Sequence, residues 1–216
     1  MVSFEVLSTG SAGNAVIVGR EALVDCGAPF RLIEPHLKDL KLILLTHIHG
    51  DHFRPSTLRR IALERPGMRF GACEWLMGPL VKAGVPERQI DLLRIGEGAR
   101  YSFCDVFPFP LKHDVPNCGY KLFFPGGKAF YATDTADLNG IRARNYDLYL
   151  IEANYEDDEI RQRIADKKAE GQYAYEKRVL RTHLSRAQCE AFIAENMGPT
   201  GQYVYLHQHM EKEGAG

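Results

Sequence analysis

Three imidazoles and a carboxylate fall within six residues of this 216-residue chain, in the segment Thr46-His47-Ile48-His49-Gly50-Asp51-His52. Core packing gives no reason for such a density of polar side chains, whereas a metal ion does: imidazole and carboxylate suit zinc, manganese and iron. The segment follows the apolar run Leu42-Ile43-Leu44-Leu45, which reads as a strand. An extended backbone carries residues i and i+2 to the same side, so His47 and His49 can grip one ion together on leaving it. Past the bend at Gly50, Asp51 and His52 can face a second ion. No CxxC pair accompanies them, so the expected site is open and catalytic, not a closed thiolate centre. The plainer alternative, histidines capping a strand and a helix without metal, leaves four potential ligands in close spacing unexplained.

This cluster cannot complete two coordination shells, so further ligands are expected at the ends of later strands. His113 follows the extended run Val106–Leu111, Asp134 follows Ala129–Thr133, and His207 follows Tyr203–Leu206. Each β-rich stretch delivers one metal-capable side chain to a loop.

With these residues in place the chain resembles the metallo-β-lactamase-fold hydrolases over nearly its whole length. THIHGDH matches the HxHxDH signature, and Asp25, in Leu23-Val24-Asp25-Cys26-Gly27, matches an acidic position behind the ligands. The resemblance implies that His47, His49 and His113 hold one divalent ion, that Asp51, His52 and His207 hold the other, and that Asp134 bridges them. It implies an α/β fold, a four-layer αββα sandwich, and two zinc or manganese ions, with iron admissible. Narrower stretches are similar to the YycJ/WalJ-like branch of single-domain phosphodiesterases and exonucleases: Ser8–Asn14, His113–Tyr120, Ala132–Thr135, Ile151–Tyr155 and His183-Leu184-Ser185. Leu206-His207-Gln208-His209 departs from the histidine-leucine-serine usual there, keeping the ligand and changing its surroundings.

The elements that must position these residues are strands near 2–8, 14–18, 21–25, 41–46, 68–72, 101–109, 119–124, 128–133, 147–152 and 202–206. Helices fit between them: Pro55–Leu63 places Leu58, Ile61 and Ala62 on one face, and Arg186–Asn196 places Cys189, Phe192 and Ile193 on one face. Gly126-Gly127 signals a hairpin, and Thr9–Asn14 reads as a tight turn, not a phosphate cradle, because it lacks the Lys-Ser/Thr of a P-loop. His36 reads as a surface helix residue. With 45% hydrophobic residues the chain can build a sizeable core, expected as one domain over 1–210 with a frayed tail over 211–216.

A net charge of −1 hides an uneven distribution. Residues 161–186 carry eight arginines and lysines against Asp166, Glu170 and Glu176, with Tyr173 and Tyr175 among them. There the aromatic faces could stack bases while the cations contact phosphates, or the stretch could be a solvated helix face. Arg59, Arg60, Arg65 and Arg69 read as surface charge. His183 and Ser185 close the basic stretch; a positioned His183 can protonate a departing alkoxide, and Ser185 can contact a phosphoryl oxygen or cap the following helix. Asn154, Arg178 and Arg181 join them as candidate substrate contacts, and Asp51 and His183 are the candidate catalytic residues.

These features favour a dinuclear phosphodiesterase acting on DNA or RNA through a hydroxide shared by the two ions. A hydrolase of a small ester, thioester, lactone or cyclic nucleotide is the alternative, and a non-catalytic metal-binding module a third. Five scattered cysteines argue against a disulfide framework and for a cytoplasmic protein; no membrane partner is expected. Oligomeric state is left open, a homodimer included.

Overall fold

The structure, a computed structural model, describes residues 1–208; the expected tail over 211–216 lies outside the described residues. The first half of the chain forms β1 (Phe4–Ser8), β2 (Ala15–Val18), β3 (Ala22–Val24), β4 (Leu42–Leu45), β5 (Arg69–Cys73) and β6 (Ile90–Leu93), with helices α1 (Phe30–Ile33), α2 (Pro55–Glu64) and α3 (Met77–Ala83) between them. The second half forms β7 (Ala99–Arg100), β8 (Asp105–Leu111), β9 (Asn117–Phe124), β10 (Gly127–Ala132), β11 (Leu148–Glu152) and β12 (Gln202–Leu206). Helices α4 (Asp157–Ala169), α5 (Glu176–Thr182) and α6 (Arg186–Asn196) lie between β11 and β12 in sequence.

The strands make two six-stranded sheets, ordered β1-β2-β3-β4-β5-β6 and β12-β11-β10-β9-β8-β7. Pairing is antiparallel at β1-β2-β3 and β7-β8-β9-β10, and parallel at β3-β4-β5-β6 and β10-β11-β12. Three apolar layers follow. Ile17, Leu23, Ile43 and Phe70 pack on Phe30, Leu58 and Leu80 of the first three helices. Val16, Val24, Leu42 and Leu44 meet Val106, Tyr120, Leu122 and Leu150 between the sheets. Phe130, Tyr149 and Ile151 receive Cys189, Phe192 and Ile193 of α6. The αββα order expected from the resemblance is the one observed. It explains why β4 is an unbroken apolar run: Leu42, Ile43, Leu44 and Leu45 are covered on both faces.

The expected strand over 101–109 begins only at Asp105, its first four residues forming a turn. Tyr101 N–H donates to the Cys104 carbonyl at 2.9 Å, so a turn separates β7 from β8. Helix α4 escapes a periodicity argument because only Ile160 is buried on it, the other faces being charged. His36 falls in a short 3-10 turn over Glu34–His36, with Nδ1 3.7 Å from a Glu5 carboxylate oxygen.

One glycine fixes how the loop carrying Asp51 and His52 sits. A Cβ on Gly27 would stand 1.8 Å from the Asp51 carbonyl oxygen, where the chain after β3 crosses the Asp51-His52 segment. The same crossing is tied by Asn14 N–H donating to Asp51 O at 2.6 Å and Cys26 N–H to His52 O at 2.9 Å. Gly27→Ala is therefore expected to push the loop outward, costing about 1–3 kcal/mol of stability by overpacking and lowering metal content. Thermal unfolding beside elemental analysis checks both; a full metal complement at unchanged midpoint would refute the crossing's role.

Candidate metal centre

The C-terminal ends of β3, β4, β10, β11 and β12 converge and project Asp25, His47, Asp134, Glu152 and His207, so one rim of the sandwich gathers groups far apart in sequence. Asp25, Asp134 and His207 all take left-handed backbone angles, φ 62°, 58° and 50°. For non-glycine residues that conformation costs about 1–3 kcal/mol each, and such strain concentrates at functional sites.

His47 leaves β4 with its ring fully buried. Thr46 Oγ1 donates to Asp25 Oδ1 at 2.8 Å, so its oxygen is the acceptor for His47 Nδ1–H at 2.9 Å. That places a lone pair on His47 Nε2, which is buried without a hydrogen-bond partner. His113 is fixed likewise: Nδ1–H donates to the Thr182 carbonyl at 2.8 Å, and Nε2 turns to within 3.2 Å of His49 Nδ1. His47, His49 and His113 thus point three nitrogens at one locus. Orphaned, inward-facing imidazole lone pairs are what a divalent cation would satisfy.

A second group joins Asp51, His52 and His207. His52 Nδ1–H donates to Asp25 Oδ2 at 2.7 Å, while Nε2 faces Asp134 Oδ2 at 2.9 Å and Asp51 Oδ2 at 3.5 Å. His207 Nε2 lies 3.2 Å from Asp51 Oδ2 and 3.6 Å from Asp134 Oδ1. Asp134 also groups with His47 and His52, so its carboxylate stands between the two clusters. Together the donor sets offer nitrogen and carboxylate oxygen without sulfur, which fits zinc, manganese or iron.

Electrostatics match. Burial, with His52 beside it, pushes the His47 imidazole down to about 2, leaving the neutral ring a metal needs. Burial also works against charge on His52, yet Asp134 and Asp25 hold its pKa well above the ordinary value. His207 is likewise raised against burial by Asp134 and Asp51. Burial opposes ionisation of Asp51, but its hydrogen bond from His207 and the nearby His52 bring it down to about 2. The metal-free protein therefore holds extra protons on His52 and His207 above the ordinary histidine pKa, and those protons must leave when a cation takes the ring nitrogens. Metal uptake near neutral pH is expected to release protons, and affinity to fall as pH drops. Calorimetry in buffers of differing ionisation enthalpy reads this; zero proton release at pH 7 would contradict the ligand assignment.

The remaining sequence candidates fall in different places. His183 Nδ1 is 2.9 Å from Glu152 Oε2 and 3.4 Å from Asp134 Oδ1, at the edge of the cage. Burial opposes its charge, but Glu152 raises its pKa. Asn154 Nδ2 donates to the His207 carbonyl at 2.9 Å. Ser185 is buried and closes a capping box on α6, accepting from Gln188 N–H at 3.2 Å while its own N–H donates to Gln188 Oε1 at 2.8 Å. Arg178 is bonded to the Asp114 carboxylate, and Arg181 is exposed on the same helix.

Sequence reasoning passed over Glu152, which is fully buried and takes three donors: Thr135 N–H at 2.9 Å, Leu184 N–H at 2.7 Å and His183. Its signal was available, an acid ending the apolar run of β11 as Asp25 follows β3. Asn14 was read only as a turn residue, yet it accepts from Gly10 N–H at 2.9 Å and donates to Asp51 O at 3.2 Å. Asp114, 3.5 Å from His49 Nε2 and 3.2 Å from His113 Nε2, was likewise missed.

A family model described as the beta-lactamase superfamily domain matches residues 19–207. The exodeoxyribonuclease WalJ of Streptococcus pneumoniae serotype 2 is 27% identical over 232 residues, spanning 97% of this chain and 82% of that protein. The exodeoxyribonuclease YycJ of Bacillus anthracis is 25% identical over 177 residues, spanning 73% of this chain and 65% of that one. In structure, the metallo-beta-lactamase fold protein YhfI from Bacillus subtilis superposes with a TM-score of 0.72 at 14% identity, over 97% of this chain and 87% of that one.

Proposed function

This chain belongs to the beta-lactamase superfamily and is a metal-dependent hydrolase, and on that premise we propose that it cleaves phosphodiester bonds of DNA or RNA with two divalent cations, zinc or manganese. The observation that carries the substrate class is a groove opening at the ligand His113. It runs past Asp114 to Tyr173, Lys177, Arg178 and Arg181. Tyr173 is 84% exposed, a free aromatic face beside three cations, which is the pairing that single-stranded nucleic acid uses. The identities of the WalJ and YycJ relatives point the same way.

His47, His49 and His113 would hold one cation and Asp51, His52 and His207 the other, with Asp134 between. When bound, the pair would supply Lewis acidity and lower the pKa of a shared water from the bulk value toward about 7. Asp51, ionised and with its side chain 25% exposed, orients the attacking water. Lys177 and Arg181 bind flanking phosphates. His183, kept protonated by Glu152, hands its proton to the departing oxygen. Asn117 Nδ2 donates to the Thr133 and Asp134 carbonyls at 3.0 and 2.7 Å, holding the bridging carboxylate's loop.

A cytoplasmic location fits this reading, since all five cysteines are free thiols. Among the described residues no helix is long and apolar enough to cross a membrane. One chain supplies every ligand, so the reading requires no second subunit.

Polymer binding releases counterions, so cleavage should weaken with salt. Replacing Lys177 and Arg181 together by alanine should lower the slope of log kcat/KM against log salt by about 0.7–0.9 per lost phosphate contact, leaving metal content intact. An unchanged slope would remove the groove from the account.

A further inference from the structure

Helix α5 separates two openings. Its basic face lines the groove just described; its other face, with Glu176 and Val179, closes a cavity of about 210 Å³ against α4, together with Tyr175 just before the helix. This is below the ~300–1,000 Å³ of drug-sized ligand sites, so it suits a single ring system. Ile160 and Val179 give it apolar walls and Tyr155 and Tyr175 aromatic ones. Its mouth adjoins the metal cage: Gln208 follows His207, and Asn154, which also lines the cavity, bonds the His207 carbonyl.

The informative group is Glu176. It is 3% exposed, Oε1 receives the Lys167 ammonium, and Oε2 is buried with no hydrogen-bond partner. Lys167 keeps the carboxyl below the usual carboxylate range although burial works against the charge. An anionic oxygen left unpartnered in a buried place asks for an N–H donor from a ligand. Glu156, Glu159 and Arg163 also line the cavity, so with Glu176 its lining carries more carboxylate than cation and disfavours a phosphate. We infer that this cavity binds the nucleobase of a nucleotide beside the scissile phosphate, the Glu176 side chain turning Oε2 toward an amino-bearing base edge. The attachment to a scissile phosphate rests on the nuclease reading above; the base recognition does not. Guanine presents two adjacent donors, and adenine and cytosine one amine each. Thymine's single ring N–H lies between two carbonyl oxygens, which the acidic lining disfavours. The cations of the groove would then hold the strand's phosphates on one side of α5 while the acidic cavity sorts bases on the other.

The test needs neither metal nor phosphate. Titrate ¹⁵N-labelled protein with each of the four 2′-deoxynucleosides and follow the amides of residues 175–179. Deoxyguanosine, deoxyadenosine and deoxycytidine should give saturable shifts there, with thymidine at least about tenfold weaker, the cost of a lost hydrogen bond to a charged group. Glu176→Gln should erase that discrimination, because an amide offers both donor and acceptor. Val179→Phe, which fills the cavity, should abolish nucleoside binding while metal content and hydrolysis of bis(p-nitrophenyl) phosphate stay at wild-type values. Equal affinity for all four nucleosides, shifts confined to other residues, or binding that survives Val179→Phe would overturn the inference. Selective nucleoside binding by a protein that cleaves no polymer would sink the nuclease reading and uphold the cavity; polymer cleavage without nucleoside binding would sink the cavity alone.

Discussion

Asp134→Asn is expected to lower turnover on the order of 10³-fold or more, the scale of losing preorganised charge stabilisation at a metal site, and to cost at least one bound metal. The substitution isolates charge from shape. Asp134 sits at φ 58°, a conformation that asparagine tolerates, so the backbone after β10 need not move. Asn117 holds the same loop through its carbonyls, which the variant keeps. What disappears is the anion that stands between the His47-His49-His113 cluster and the Asp51-His52-His207 cluster. Its carboxyl is held far below the ordinary range by His52 and His207 in spite of burial, so the site is built around its charge. Steady-state kinetics beside metal analysis reads both effects. An Asp134→Asn enzyme with two metals and wild-type turnover would remove the bridging role.

The second large effect concerns a residue outside the candidate donor groups. Asp25 is fully buried; Oδ1 accepts from Thr46 N–H at 3.0 Å and Thr46 Oγ1, and Oδ2 from His52 Nδ1 and from the Tyr131 hydroxyl at 3.1 Å. Asp25→Ala strips four donors of their acceptor and places alanine at φ 62°. Breaking a buried charged pair in this way costs roughly 3–5 kcal/mol, or a fall in thermal midpoint of about 6–20 °C for a domain of this size. Asp25→Asn is the finer probe. Asparagine can still accept from Thr46, but its amide then turns N–H groups toward His52 Nδ1–H. The imidazole must move its proton to Nε2, the nitrogen that faces Asp51 and Asp134. The expected outcome is a folded protein whose second cation binds at least about 10–100-fold more weakly, the usual penalty for losing a partner behind a metal-ligating histidine. Competition with a chelating dye measures it, and unaltered affinity would show that Asp25 does not set the tautomer.

The sequence exposed the cage more fully than its setting, for a physical reason. HxHxDH packs candidate ligands at spacings that an extended strand and a glycine bend translate directly into direction, and Asp25, Asp134 and His207 each follow an apolar β run. Ser185 was readable as a cap because Gln188 stands three residues on, completing a capping box. Glu152 looked like any acid after a strand, since its three partners come from distant loops. Helix α4 carries charge on every face and so gives no periodic signal, and the break between β7 and β8 depends on a turn that one backbone hydrogen bond closes. The cavity against α5 is assembled from both helices and from the residues after β11 and β12, a composite that no local pattern announces.

The most direct test incubates end-labelled single- and double-stranded DNA and RNA with purified protein loaded with Mn²⁺ or Zn²⁺, its metal content determined on the same preparation. The account predicts metal-dependent release of short products, lost on chelation and absent from Asp134→Asn. Protein that holds two metals per chain and leaves all four polymers intact would contradict it.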